Sequence, residues 1–246
     1  MSIQTASVRA VVLLAMTAAF TLTACKPQPD PAAVRAAHAA AKEADAEAMA
    51  KQFDAVFAEE KWELARAHGN VLTDKYPDSA AAERIAAQHA EASAKAETAS
   101  ENRRTRALWT YQTQPLDKGE QKTAAIYSRE AVDVGDGAPQ RVRLIFRDHP
   151  DWGRSSYLVL TSGDFDCYGG CRVQVKADDA APRAMDASRP KTDEAIAMFI
   201  EDERALWRLV GDAKVVSVEF PVKAGGSRAA EFEVAGLDDT RLPGWK

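Results

Sequence analysis

The feature that most constrains this chain is a change of hydrophobic period near residue 106. From residue 32 to about 105 the sequence is rich in Ala, Glu, Lys and Gln, holds one glycine, Gly69, and shows no strand-like alternation. Such a composition favours helix at nearly every position. From Leu108 onward, short runs of period two alternate with turn residues, the pattern of half-buried strands. The chain is therefore expected to be an α+β protein. An N-terminal helical hairpin or neck spans 32–105, and a mostly antiparallel, β-sandwich-like domain with one covering helix spans 106–246. A hydrophobic content of 46% over 246 residues is enough to bury a core, which excludes disorder throughout.

In the helical part Phe53, Val56 and Phe57 share one face, Glu59-Glu60-Lys61 makes a charged break, and Trp62, Ala65, Leu72 and Tyr76 follow at helical spacings. Pro77 ends that second helix, and Asp78 or Ser79 supplies the next cap. Between Ser79 and Thr105 the only large aliphatic or aromatic residue is Ile85, so the third helix is expected to bury little and to serve as a solvated strut or an interaction helix. The stretch from Phe57 to Ala82 resembles a tetratricopeptide-like helix pair, and its Tyr76-Pro77-Asp78-Ser79 turn is similar to those of envelope assembly lipoproteins. The likeness covers about one and a half repeats, fewer than the roughly three a solenoid needs, so it implies helices that pack on the rest of the chain or on a partner.

Candidate strands in the second part are 109–114, 123–129, 141–147, 155–161, 172–176, 194–200, 215–222 and 229–234. They are separated by breakers such as Gly135-Asp136-Gly137, His149-Pro150-Asp151, Ser162-Gly163-Asp164 and Gly225-Gly226-Ser227. One helix interrupts them, from an Asp202 cap through Leu206, Trp207, Leu209 and Val210 to Gly211, with its apolar face directed at the sheet. A sandwich or a curled sheet accommodates this pattern.

At the amino terminus a single charge, Arg9, precedes an apolar or small stretch from Ala10 to Leu22, and Lys26-Pro27-Gln28-Pro29-Asp30-Pro31 follows it. Thirteen residues fall short of the roughly 20 that span a bilayer, and the prolines stop any continuing helix. The stretch fits the hydrophobic region of a signal peptide over 1–24, with a proline-rich tether over 25–31. Leu22-Thr23-Ala24-Cys25 resembles the bacterial lipobox. That resemblance implies cleavage before Cys25, lipidation of its sulfur and acylation of its new amino terminus. It also implies a membrane partner held through two or more acyl chains and, from Lys26, an outer-membrane location facing the periplasm. Removing 1–24 leaves 31 basic against 37 acidic side chains, a balance poorly suited to nucleic acid or to anionic lipid heads. The short basic run Arg103, Arg104, Arg106 reads as a complement to a helix end.

Assigning Cys25 to lipid leaves Cys167 and Cys171, an even pair for an oxidising compartment. Cys167-Tyr168-Gly169-Gly170-Cys171 suits a tight loop closed by a disulfide, worth about 2 kcal/mol in chain entropy. A thiol-exchange or copper role, with His149 as the remote ligand, is the less favoured reading, because redox pairs use two intervening residues at a helix start. Asp164 and Asp166 flank Phe165 and could hold a cation, but a solvated turn accounts for them better, as it does for Asp133 and Asp136. Gly225-Gly226-Ser227 lies between strands and lacks the second glycine of a nucleophile elbow. No catalytic residues, metal ligands or cofactor are assigned.

Trp109-Thr110-Tyr111, Tyr157 to Thr161, Gly163, Phe165, the cysteine pair, Met198-Phe199-Ile200 and Phe232 to Leu237 together resemble the β-rich domain of Gram-negative envelope lipoproteins, distantly similar to type VI secretion accessory proteins. The chain departs from that pattern at Lys176-Ala177-Asp178, where the family shows Phe-Asp. The function expected is that of a lipid-anchored, non-enzymatic scaffold for a protein partner in the envelope. The alternative is a small-ligand, metal-binding or hydrolytic domain tethered there.

Overall fold

The computed structural model describes residues 30–191 and 196–245. Three helices come first: α1 (Pro31–Ala58), α2 (Trp62–Lys75) and α3 (Ala80–Ala107). Each boundary has a local cause. Asp30 caps α1, with Pro31 at the first helical position where no amide is required. Glu60 adopts a φ of 56° in the charged break, and the Ser79 hydroxyl accepts the Ala82 amide at the start of α3.

The helices run up, down and up. Glu43 of α1 accepts the Ala80 and Ala81 amides, which sets the start of α3 level with the middle of α1. Residues 31–42 of α1 therefore extend past the other helices and are exposed throughout. Phe53, Leu72 and Ile85 are fully buried with Ala46, Ala50, Ala65 and Ala92, and Val56, Phe57, Trp62 and Tyr76 pack around them. Of the two readings its sequence allowed, a solvated strut or an interaction helix, the third helix departs from the first by packing on α1 and α2. It buries Ala81, Ala82, Ile85, Ala92 and Ala96, because small side chains bring helix axes close without large apolar residues. Gly69 marks a close approach of α2 to α3, where a Cβ would fall 2.3 Å from the His89 ring.

Nine strands form one antiparallel sheet: β1 (Trp109–Leu116), β2 (Gly119–Tyr127), β3 (Arg143–His149), β4 (Gly153–Leu160), β5 (Cys171–Ala177), β6 (Arg183–Ser188), β7 (Ile196–Ile200), β8 (Val215–Pro221) and β9 (Ser227–Glu233). Their order is β1-β2-β3-β4-β7-β6-β5-β8-β9. The sheet is single but curled. Arg129, just past β2, donates its amide to the Glu231 carbonyl of β9, and Trp109 Nε1 donates to the Val234 carbonyl. The sandwich-like layering thus arises from two halves of one sheet facing each other.

Pairing in register keeps one column inside. Ile126, Leu144, Leu158 and Met198 lie across successive strands, as do Val175, Val218 and Ala230. The covering helix α4 (Glu203–Asp212), capped by Asp202, packs between β4 and β8 and inserts Leu206, Trp207 and Val210 into this core. Trp207, Phe146 and Trp245 meet there with centroids 5.0 to 5.3 Å apart. Among the described residues no helix is long and apolar enough to cross a membrane.

Candidate functional site

The anchor residue inferred from the sequence, Cys25, lies outside the described residues. The second pair is joined: Cys167 and Cys171 form a disulfide whose Cα atoms are 5.1 Å apart. The loop leads directly into β5, and Cys167 is buried against β6, its carbonyl accepting the Arg189 amide. The disulfide therefore fixes the β5 end of the connection from β4.

The carboxylate next to it is already engaged. Asp164 accepts the Arg189 guanidinium at 2.8 Å, the Phe165 amide at 2.9 Å and the Tyr168 hydroxyl. Burial alone would raise the Asp164 pKa, but the hydrogen bonds from Arg189 and then Tyr168 outweigh it and hold the carboxyl below its ordinary range. Arg189 is only 5% exposed, so this is a buried ion pair rather than a free acidic site, and Phe165 between the two aspartates is wholly buried. Tyr168, 39% exposed, lies near the Arg189 and Lys223 cations at 5.3 and 5.5 Å. The cation reading of Asp164 and Asp166 loses its main ligand to Arg189.

His149 lies at the β3–β4 turn, the opposite end of β4 from the cysteine loop and about 25 Å away at strand rise. Its Nδ1 accepts the Asp151 and Trp152 amides, and its ring stacks on Trp152 at 3.9 Å. It is a turn residue, and the cysteine–histidine copper arrangement is not assembled. Ser227 opens β9 after the positive-φ pair Gly225 and Gly226, an ordinary hairpin turn. Among the described residues no group of three or more His, Cys, Asp or Glu could hold a metal ion.

Two features escaped the sequence reading. One is the junction of neck and sheet. Arg104 of α3 bridges Glu101 and Glu233, and Arg129 reaches Glu231 and Glu233. The Arg104 hydrogen bond, then Arg129, hold the Glu233 carboxyl down at about 2 against the opposing effect of burial. A cleft of about 840 Å³ opens beside this network, between the α3 residues Glu97 to Thr105 and Lys214, Val215 and Ala235. The network has no sequence signal, since 129 residues separate its ends.

The other is the outer face of β2, β3, β4 and β7. Tyr157 and Phe199 pair across β4 and β7 with ring centroids 5.0 Å apart. Arg147 lies 5.3 Å from the Trp152 ring and 5.4 Å from that of Tyr157, and Arg143 lies 5.5 Å from that of Tyr127. The signal was present as uninterrupted apolar runs in the strands, which one buried face does not explain.

No protein-family model, curated protein or solved structure matches this chain.

Proposed function

We propose that this chain is a lipid-anchored envelope protein that holds a β-rich interaction domain at a distance from a membrane surface and performs no catalysis itself. The observation that carries the reading is the polarity of the three-helix neck. Pro31, six residues after Cys25, begins α1 at one pole, and α3 delivers the chain to β1 at the other. The exposed start of α1 beyond Glu43 measures about 18 Å and the 28 residues of α3 about 42 Å, a span of about 60 Å. A lipobox-like cysteine, a proline-rich tether and a packed helical spacer in that order suit presentation of the β domain to a partner across part of the envelope. The alternative of a ligand-binding or hydrolytic domain drew on the Cys167 hairpin with Asp164 and Asp166, and is less well supported because Asp164 is ion-paired to Arg189 and Cys167 is bonded to Cys171.

Replacing Cys25 with Ala tests the anchor. Fractionation of cells expressing the Cys25→Ala chain should move the protein from the membrane pellet to the soluble fraction. Unchanged membrane retention in high salt would overturn the reading.

A further inference from the structure

The outer face of the sheet is built in two different ways. On β5, β6, β8 and β9 the outward residues include Arg172, Gln174, Lys176, Asp186, Ser217, Glu219, Glu231 and Glu233, the polar half of an ordinary alternation. On β2, β3, β4 and β7 the outward column instead carries Tyr127, Tyr157, Phe199 and two arginines, with Trp152 beside it. Trp152 is 70% exposed and Tyr127 50% exposed, the two most exposed aromatic side chains of the described residues.

Arg143 is the second irregularity. Arg104, Arg129, Arg172, Arg183 and Arg189 have carboxylate partners, whereas Arg141, Arg204 and Arg208 are exposed arginines without one among the described residues. Arg143 and Arg147 have none among the described residues; each lies near aromatic rings, and Arg147 donates to the Ser155 hydroxyl. The Arg143 Nε is buried with no acceptor. Both guanidiniums thus have no counter-charge among the described residues, and a carboxylate would supply one in forked geometry. Aromatic side chains with arginine are also the residues that dominate protein–protein binding energy. An anionic lipid surface fits less well, since two arginines on a net acidic chain give little attraction to it.

We propose that this face, centred on Tyr157 and Arg147, docks a segment of a partner protein that carries carboxylates next to apolar side chains. The proposal deepens the reading of the β domain as an interaction module and does not depend on the lipid anchor.

The test pans a displayed library of random twelve-residue peptides against the whole detergent-solubilised chain. One enriched peptide is then titrated against the chain and its variants by tryptophan fluorescence or calorimetry. Enriched sequences should hold Asp or Glu within a residue or two of aromatic or leucine side chains. The Arg143→Gln/Arg147→Gln variant, or the peptide with its carboxylates amidated, should weaken binding by at least about tenfold. Trp152→Ala should weaken it as well, and Lys176→Gln, on the other half of the sheet, should leave it unchanged. Running the titration with Cys25→Ala chain, which should bind equally, separates failure of this proposal from failure of the anchor. The proposal is overturned by no enrichment, by enrichment without carboxylates, or by equal binding to the double variant. It is also overturned if the two arginines control binding to phosphatidylglycerol vesicles or self-association in sedimentation instead of peptide binding.

Discussion

Gly236 offers the sharpest check on how the neck meets the sheet. It follows β9, in a turn closed by the Leu237 amide on the Val234 carbonyl, and a Cβ there would fall 2.2 Å from the Arg106 nitrogen and the Thr105 carbonyl carbon. Those atoms are backbone, at the last turn of α3, so no side-chain rotation relieves the overlap. To reach normal contact, the segment or the helix must move by more than about 1 Å, against the Trp109–Val234 and Tyr111–Asp238 hydrogen bonds and the Arg104–Glu233 ion pair. Overpacking of this kind costs about 1–3 kcal/mol, and rigid neighbours put Gly236→Ala near the upper end. For a domain of this size that lowers Tm by about 6–12 °C. Gly211 supplies the opposite control, because nothing lies within 4 Å of its Cβ position and it sits within helix α4. Gly211→Ala should raise stability by about 0.5–1 kcal/mol. Differential scanning calorimetry on both variants should show shifts of opposite sign for the same added methyl group. A Gly236→Ala Tm within about 1 °C of the parent would refute the close junction, since a neck free to swing would accommodate the methyl at no cost.

Three further outcomes follow from the same contacts. Replacing both Cys167 and Cys171 with Ala should cost about 2 kcal/mol, measured by urea unfolding, and the parent should yield no titratable thiol from this pair. Asp164→Asn removes the carboxylate from a guanidinium 5% exposed, and should cost about 3 kcal/mol with m unchanged. Glu233 titrates at about 2 in the folded chain against an ordinary 4.5, so its ion pairs stabilise fully above about pH 4.5 and are lost as pH falls through 2. Tm measured from pH 6 to pH 2 should fall less steeply in Glu233→Gln than in the parent; parallel curves would refute that role for Glu233.

Elements set by local chemistry were legible in advance. The Glu59-Glu60-Lys61 break, the Ser79 and Asp202 caps and eight of the nine strands all rest on residues within a few positions of each other. The ninth, β6, reads Arg-Ala-Met-Asp-Ala-Ser, low in β propensity, and only Met185 and Ala187 are buried in it. Its neighbours β5 and β7 make it a strand, which is a tertiary effect. The packing of α3 was missed for a related reason, because alanine carries little weight as an apolar signal yet permits the closest helix approach. The cysteine bridge was readable across four positions, whereas the Asp164–Arg189 pair joins residues 25 apart and Arg104–Glu233 residues 129 apart.

The outer face shows why register rather than composition decides where a surface lies. Leu144-Ile145-Phe146, Tyr157-Leu158-Val159-Leu160 and Ala197-Met198-Phe199-Ile200 are continuous apolar runs, a pattern suited to strands covered on both faces. In a curled antiparallel sheet only one face meets the core, and pairing assigns Leu144, Leu158 and Met198 to it and Ile145, Tyr157 and Phe199 to the other. A slip of one residue in any of these strands would exchange the two sets, so register alone selects which one faces out. Stability requires the inner set. The outer positions of β5, β6, β8 and β9 in the same sheet carry charged and amide side chains instead. The outer apolar area is confined to half the sheet, where Ile145 is only 8% exposed while Tyr127 and Trp152 stand 50% and 70% exposed, and that uneven exposure is what the proposed docking face rests on.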